Sequence, residues 1–507
     1  MELTEQDTPS PAAEQDTPSP AEDRTRWTAL VVLCVGMLMI VLDATVVNVA
    51  LPAIQSDLGF SQSSLAWVVN AYLIAFGGLL LLSGRLGDLV SRRGVFLTGL
   101  AVFTVASVLC GVAQSQWMLI GARFVQGVGG AMTSAVILGM IVTMFPEPRE
   151  QAKAIGVYAF VASAGGSVGL LAGGVLTQAL NWHWIFFINI PIGIATAVAA
   201  VRYLENDKGT GFAKGADVLG AGLITSSLML GVYTIVSPAA ELGWTAGRTL
   251  LLGAISIGLM VGFLAREATA RTPLIPLRIF RSRAVSGANL IQGLTVAGMF
   301  GMFFLGVLYL QRILKYDALA TGLAFLPTTV VMGTLSVRYS EKLIMRFGAR
   351  RTLLPGLVLI AAGLALFARA PMDGGYLIDV LPSSLLLGTG IGTSFPALMT
   401  LAMSGATQQD AGLASGLVNT TVQVGAALGL AVLATLSGAR SQELIAAGKP
   451  VADALLEGYH LGFLIGAVLV VVAIVVAVTM LRPESRAAQS ESRPQLVRPE
   501  PAFSEAC

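Results

Sequence analysis

The sequence predicts an all-α polytopic membrane protein with fourteen transmembrane helices, built as two six-helix bundles plus two inserted helices. Three observations lead there. Hydrophobic residues make up 55% of the 507-residue chain and charged residues only 12%, against about 25% charged in soluble domains. Fourteen apolar runs approach the ~20 residues that a helix needs to cross a bilayer. The basic residues between those runs alternate in density, as expected for loops on opposite sides of a membrane.

Taken in order, residues 1–26 are acidic and Pro-rich and carry the octapeptide EQDTPSPA twice, at Glu5–Ala12 and Glu14–Ala21. That composition predicts a disordered tail rather than a signal peptide. Spans are expected to begin near Trp27, Ser64, Val95, Trp117, Ala152, Trp184, Ala216, Arg248, Ala284, Ala318, Thr352, Tyr376, Ala411 and His460. They divide into an N-terminal bundle (27–203), an inserted hairpin with its loop (204–283) and a C-terminal bundle (284–481). A second disordered tail follows at 482–507. With the N-terminus inside, inner segments carry 24 Lys and Arg residues and outer segments carry 6, with Arg123 embedded in a span. Dropping one span would invert every later loop and erase this bias, so both termini are placed on the cytoplasmic side.

Two charges lie well inside apolar runs: Asp43 in the first and Arg123 in the fourth. A charge near the middle of a span costs roughly 3 kcal/mol on insertion scales, which marks both residues as functional candidates. The two spans run in opposite directions, and both charges fall in the outer half at comparable depth. Burial penalises an ionised carboxylate, whereas a neighbouring guanidinium favours it. If the pairing changes between conformations, proton affinity changes with it. The alternative is a static ion pair between two helices, although apolar side chains would pack there at lower desolvation cost. The coupling role expects Asp43 in a water-reachable cleft between two moving halves, and it fails if the side chain faces lipid or is walled off from solvent in both states.

The same residues exclude other classes. A net charge of +2 gives no global attraction to nucleic acid. Cys34, Cys110 and Cys507 have no disulfide or zinc spacing, and the only histidines are His183 and His460. HExxH and Walker A patterns are absent, and Gly165-Gly166-Ser167-Val168-Gly169, which fits GxSxG, lies inside an apolar run with no histidine near it in sequence, so neither an enzyme nor a cofactor or metal is expected.

An internal repeat is also visible. Ser91-Arg92-Arg93 and the Arg346–Arg351 loop, and then Gly165/Gly169 and Gly425/Gly429, recur at separations of about 260 residues. Parallel repeats of this kind suit transporters that rock two bundles around a central site.

Several motifs then become specific. Leu42 to Pro52, Gly84-Arg85-Leu86-Gly87-Asp88 running on to Arg92-Arg93, Gly121 to Gly129, Gly165 to Gly174, and Trp182 to Pro191 together resemble the fourteen-span drug:proton antiporters of the major facilitator superfamily. Ser91, Leu170, His183 and Met345 depart from the family's usual Gly, Pro, Arg and acid. The resemblance implies the major facilitator fold, proton coupling through Asp43 and Arg123, and a cytoplasmic latch at Gly84, Asp88, Arg92 and Arg93. It further implies an antiporter helix-packing face at Gly165, Gly169, Gly173 and Gly174, whose close-approach residues make contact between domains. Intramembrane polar residues, namely Asn48, Gln126, Tyr158, Asn289, Gln292, Asn419 and Gln423, are candidates for a substrate cavity. The implied activity is export of amphipathic, antibiotic-like small molecules in exchange for protons, by a monomer in the lipid bilayer of the bacterial inner membrane. A proton-coupled uptake carrier and a non-transporting sensor on the same fold remain as alternatives.

Overall fold

The computed structural model describes residues 20–481, apart from 208, 210, 212–214 and 405–410. The two expected tails therefore lie largely outside the described residues. The first helix, however, reaches back to Pro20, into the segment expected to be disordered.

Fourteen long helices follow the expected order. The first bundle comprises α1 (Pro20–Leu58), α2 (Trp67–Leu89), α3 (Arg92–Gly111), α4 (Gln116–Met144), α5 (Pro148–Ala179) and α6 (Asn189–Tyr203). The insertion supplies α7 (Val218–Val236) and α8 (Gly247–Thr269). The second bundle comprises α9 (Arg283–Leu308), α10 (Ala318–Thr334), α11 (Ala349–Phe367), α12 (Leu381–Ser404), α13 (Ala411–Ala446) and α14 (Val451–Met480). Among the described residues, thirteen of these stretches are long and apolar enough to cross a membrane, and the chain is a multi-pass membrane protein. The remaining one, α5, is a continuous helix of 32 residues that includes the apolar stretches Lys153–Ala162 and Val168–Ala179.

The helix starts follow from capping chemistry. Ser91, Ser115, Asp217, Ser282 and Asp317 each accept a backbone N–H from the first turn of α3, α4, α7, α9 and α10, which satisfies a donor the helix cannot. Before α11 the chain turns at Gly348, where φ is 86°, a conformation that glycine adopts without strain. Helix α14 begins well before the expected His460. Its first turns carry Glu457, which pairs with Lys449 and Arg440, so polar residues that hydropathy assigns to a loop extend the helix.

The two halves repeat each other in packing. α1 lies on α5 and α6, as α9 lies on α13 and α14; α4 lies on α2 and α3, as α12 lies on α10 and α11. Gly165 and Gly169 meet Val41 and Thr45 of α1, while Gly425 and Gly429 meet Gly293 and Ala297 of α9. That register puts the neutral, fully buried Thr295 where the first half has Asp43. The halves join along two seams, α2 against α13 and α5 against α10, and α7 packs on both α2 and α13. Outer and inner ends follow the charge bias of the loops. At the outer end Gln178 donates to Asp317, Gln311 donates to the Val49 carbonyl, and Arg312 donates to Gln55. These contacts join the two halves at that end.

Candidate functional site: a buried carboxylate–guanidinium network

Five helices of the first half build one polar centre. α1 supplies Asp43, and α4 supplies Arg123 and Gln126, which share a face at i, i+3. α3 supplies Ser107 and Cys110, α2 supplies Val68 and Tyr72, and the start of α6 supplies Asn189. Pro191 sits in the first turn of α6, where its missing N–H costs nothing.

Asp43 and Arg123 are both fully buried. Arg123 Nη1 donates to Asp43 Oδ2 at 2.6 Å and to Gln126 Oε1 at 2.7 Å. Gln126 Nε2 donates to Asp43 Oδ1 at 2.7 Å and to Ser107 Oγ at 2.8 Å. Asn189 Nδ2 donates to Asp43 Oδ1 at 2.9 Å and to Ser107 Oγ at 3.3 Å. Arg123 Nε donates to the Val68 carbonyl at 2.9 Å, and the guanidinium carbon lies 4.4 Å from the centre of the Tyr72 ring. Desolvating two ions costs several kcal/mol each, and only good geometry with further hydrogen bonds offsets it. Here the carboxylate receives three side-chain donors. Arg123 Nη2 and Asn189 Oδ1 are buried without a protein partner, so the network is not fully satisfied with the carboxylate ionised.

Two expectations about this centre change. Asp43 lies inside the first bundle, not in a water-reachable cleft between the halves, because it is fully buried and its donors come from α4 and α6 of its own bundle. Gln126 bridges the ion pair and lines no substrate cavity, since both ends of its amide are used by Arg123, Asp43 and Ser107. Asn189, Ser107 and Tyr72 were not anticipated as partners. The Asn-Ile-Pro sequence at the start of α6 is the signal that points to Asn189.

The other cavity candidates do not converge. Asn48 is buried and donates to the Ala44 carbonyl of its own helix. Asn289 accepts from Thr421 and so ties α9 to α13, and Gln292 is buried. Gln423 lies in the seam against Gly77 of α2. Asn419 is exposed and bonds to the Ser415 carbonyl. Tyr158 is half-buried with its hydroxyl 3.6 Å from Met37 Sδ.

The glycine face also divides. A Cβ on Gly165, Gly169 or Gly173 would strike α1 of the same half, whereas one on Gly174 would strike Ala318 and Leu319 of α10. Consecutive residues point about 100° apart on a helix, so Gly174 alone of the four crosses to the other half.

In the loop motif, Asp88 accepts from Arg92 Nε and Nη2 at 3.1 and 3.0 Å. Arg92 Nη1 reaches the Gly139 carbonyl and Thr143 of α4, and Arg93 donates to the Val201 carbonyl. Gly84 lies across from Ala135 of α4. Asp207, from the loop after α6, was not foreseen here. Its carboxylate accepts from the Ser91 hydroxyl and from the N–H groups of Arg92 and Arg93, while Gly209 and Gly211 donate to the Val90 and Leu89 carbonyls. Burial acts to raise the Asp207 pKa, but the bonds from Ser91, Arg92 and Arg93 outweigh it and hold the carboxyl below its usual value. A carboxylate depressed in the folded state contributes its stability above the unfolded pKa and loses it as pH falls through the folded one. Asp207→Ala is expected to cost about 1 kcal/mol, as loss of a helix cap does. The difference from the native protein in thermal unfolding should be present at neutral pH and should vanish in acid below the ordinary carboxylate range.

Comparison with known proteins places this architecture. The model of the Major Facilitator Superfamily matches residues 33–430. The chain is 39% identical to the puromycin resistance protein pur8 of Streptomyces alboniger over 88% of this chain and 90% of that protein. It is 38% identical to the cephamycin export protein CmcT of Amycolatopsis lactamdurans over 82% of this chain and 85% of that one. The fold resembles that of a bacterial homolog of the human lysosomal transporter Spinster, solved in an inward-facing and unoccupied conformation, with a TM-score of 0.67 at 16% identity over 91% of this chain and 98% of that one. With a family model spanning most of its length and relatives well above 30% identity, the chain belongs to the Major Facilitator Superfamily and is a membrane transporter, not an enzyme.

Proposed function

We propose that this transporter exports amphipathic, antibiotic-like compounds from a bacterial cell in exchange for protons, with Asp43 as the proton carrier and Arg123 as its counter-charge. The observation that carries this reading is the Asp43–Arg123 contact of 2.6 Å at zero exposure, completed by Gln126 and Asn189. A purely structural pair is a costly way to join two helices that apolar residues would pack equally well. A titratable pair inside one half gives that half two charge states, and among the described residues only the first half has one buried, with Thr295 in the equivalent place in the second. When Asp43 takes a proton, the ion pair loses its attraction, and Asn189 Oδ1, buried without a partner, becomes the acceptor for the new carboxyl O–H after a flip of the amide. The relatives named for puromycin resistance and cephamycin export support export of antibiotic-like molecules.

In this reading the bundles 27–203 and 284–481 rock about the α2–α13 and α5–α10 seams, and the loop bearing Gly84, Asp88, Arg92 and Arg93 latches the inner side when the outer gate opens. The protein works as a monomer in the inner membrane with both termini in the cytoplasm. One charge crossing 100 mV is worth about 2.3 kcal/mol, and each tenfold substrate gradient costs about 1.4 kcal/mol. One proton per cycle therefore sustains a gradient of a few hundredfold for a neutral substrate at a potential near ~150 mV. A monovalent cation exchanged for one proton moves no net charge and responds to the pH gradient alone.

The test has two stages. Growth inhibition by puromycin, a cephamycin and ethidium, with the gene present and absent, selects the most strongly exported compound. Transport of that compound in proteoliposomes is then followed while the potential and the pH gradient are collapsed separately. Accumulation should vanish when both are removed, and accumulation that survives would overturn the exchange mechanism.

A further inference from the structure

Exchange requires protons from the outer side to reach Asp43, yet Asp43 is fully buried and the outer ends of the halves are joined. A separate feature lies above it. A cavity of about 550 Å³ opens at the outer end of the first bundle, lined among others by Asp57, Gly111, Gln114, Asn181, His183 and Phe187. Its polar mouth is held in place. Trp182 Nε1 donates to Asp57 at 2.9 Å, His183 Nε2 stands 3.9 Å from the same carboxylate oxygen, and His183 Nδ1 is 2.9 Å from the Gly111 carbonyl. The Trp182 ring, itself buried, stacks on His183 at 3.8 Å.

The floor of this cavity adjoins the ion-pair network. Gly111 lies one helical turn of α3, about 6 Å, from Ser107, which binds both Gln126 and Asn189. Its neighbour Cys110 contacts Gln126 at 3.6 Å. Phe187 precedes Asn189 by two residues, and Phe186 faces Arg123 at 5.8 Å. The Phe187 ring lies so close over Gly111 that a Cβ there would be 2.2 Å from it.

We propose that this cavity is the outer proton port. Water filling it carries protons past Asp57 and His183 to the floor, and a swing of the Phe187 ring off Gly111 opens contact with Ser107, Asn189 and Gln126. One proton leaves an oxonium in that water and adds to the Asp43 carboxylate, giving a neutral carboxyl and a water molecule. The charged and titratable groups facing Asp43 are then Arg123, Tyr72 and Cys110, and those at the mouth are Asp57 and His183. Protons thus enter through the body of one bundle, while substrate uses the cleft between the two. This inference rests on the reading of Asp43 as the proton carrier.

The test fills the cavity without disturbing folding. Gln114 is exposed at the mouth, and Cys34 and Cys110 are buried. Gln114→Cys, in a Cys507→Ser background, is labelled from outside with a bulky, membrane-impermeant thiol reagent after reconstitution of the full chain. The probe is the most strongly exported compound of the panel above. Gradient-driven transport should slow by about tenfold, a barrier change of about 1.4 kcal/mol. Substrate counterflow without net proton movement should be unchanged, and a methyl-sized reagent should alter neither. Undiminished gradient-driven transport at full labelling overturns the port, and so does an equal loss of counterflow. In either case an Asp43→Asn variant that lacks gradient-driven transport leaves the carrier reading standing. An Asp43→Asn variant that keeps it removes the carrier and the port together.

Discussion

Asp43→Asn is expected to abolish gradient-driven export while leaving a folded protein in the membrane. The side chain keeps its shape, and its remaining oxygen still accepts from Gln126 Nε2 and Asn189 Nδ2, both within 2.9 Å of Oδ1 in the native protein. What it loses is the site that changes charge. Arg123 keeps the Val68 carbonyl, Gln126 and the Tyr72 ring but loses its counter-ion in a fully buried position. Removing one partner of a buried pair typically costs about 3–5 kcal/mol, so a clear fall in thermal stability should accompany the loss of coupling. The two effects can be separated. Adding Arg123→Gln removes the uncompensated charge and should restore much of the stability, and a double-mutant cycle measures that coupling. It should not restore accumulation against a gradient, because no proton carrier returns. Proteoliposome transport and unfolding of the same preparations check both statements. A single variant that still concentrates substrate would end the carrier role.

The sequence made the fold legible because its signals are extensive properties. Hydropathy and loop charge average over many residues, so the fourteen helices appear where expected, within the shifts seen at Pro20 and Val451. The repeat was legible through glycines because close helix contact excludes a Cβ at fixed register, and Gly165 and Gly425 meet equivalent places on α1 and α9. The Asp43–Arg123 pair was legible because depth in a membrane can be counted along a helix. The partners of that pair were not, because they depend on helix rotation. Gln126 looked like any intramembrane amide until its rotation aimed it at Asp43, and Asn189 sits on α6, whose approach to α1 no local pattern encodes. Asp207 stayed hidden for a related reason. A loop carboxylate caps α3 across a sequence separation of more than a hundred residues, and nothing near Ser91 signals a distant cap.

The division within the glycine motif gives the second large effect, at Gly174. A Cβ there would stand 2.8 Å from the Ala318 carbonyl oxygen and 2.9 Å from Leu319 Cα. These are backbone atoms that cannot rotate aside, and they belong to the other half. Gly173 is as crowded, but against the Val46 carbonyl oxygen at 2.7 Å, within its own bundle. Gly173→Val should therefore weaken the first bundle in every conformation and lower thermal stability. Gly174→Val should leave each bundle intact and penalise the closed outer gate alone. Overpacking costs about 1–3 kcal/mol, which at about 1.4 kcal/mol per tenfold lowers the closed-gate population some five- to a hundredfold. Probes on Leu180→Cys and Asp373→Cys, exposed at the outer ends of the two halves, report the opening as a longer distance. Export should stop, since alternation needs the gate to shut. Gly322 presses on the Leu170 carbonyl from the opposite side of the same seam, so Gly322→Val should reproduce the opening. An unchanged probe distance in both variants would mean that the seam yields to extra volume, and closure would then have to rest on Gln311, Arg312 and Gln178 rather than on backbone contact at the α5–α10 crossing.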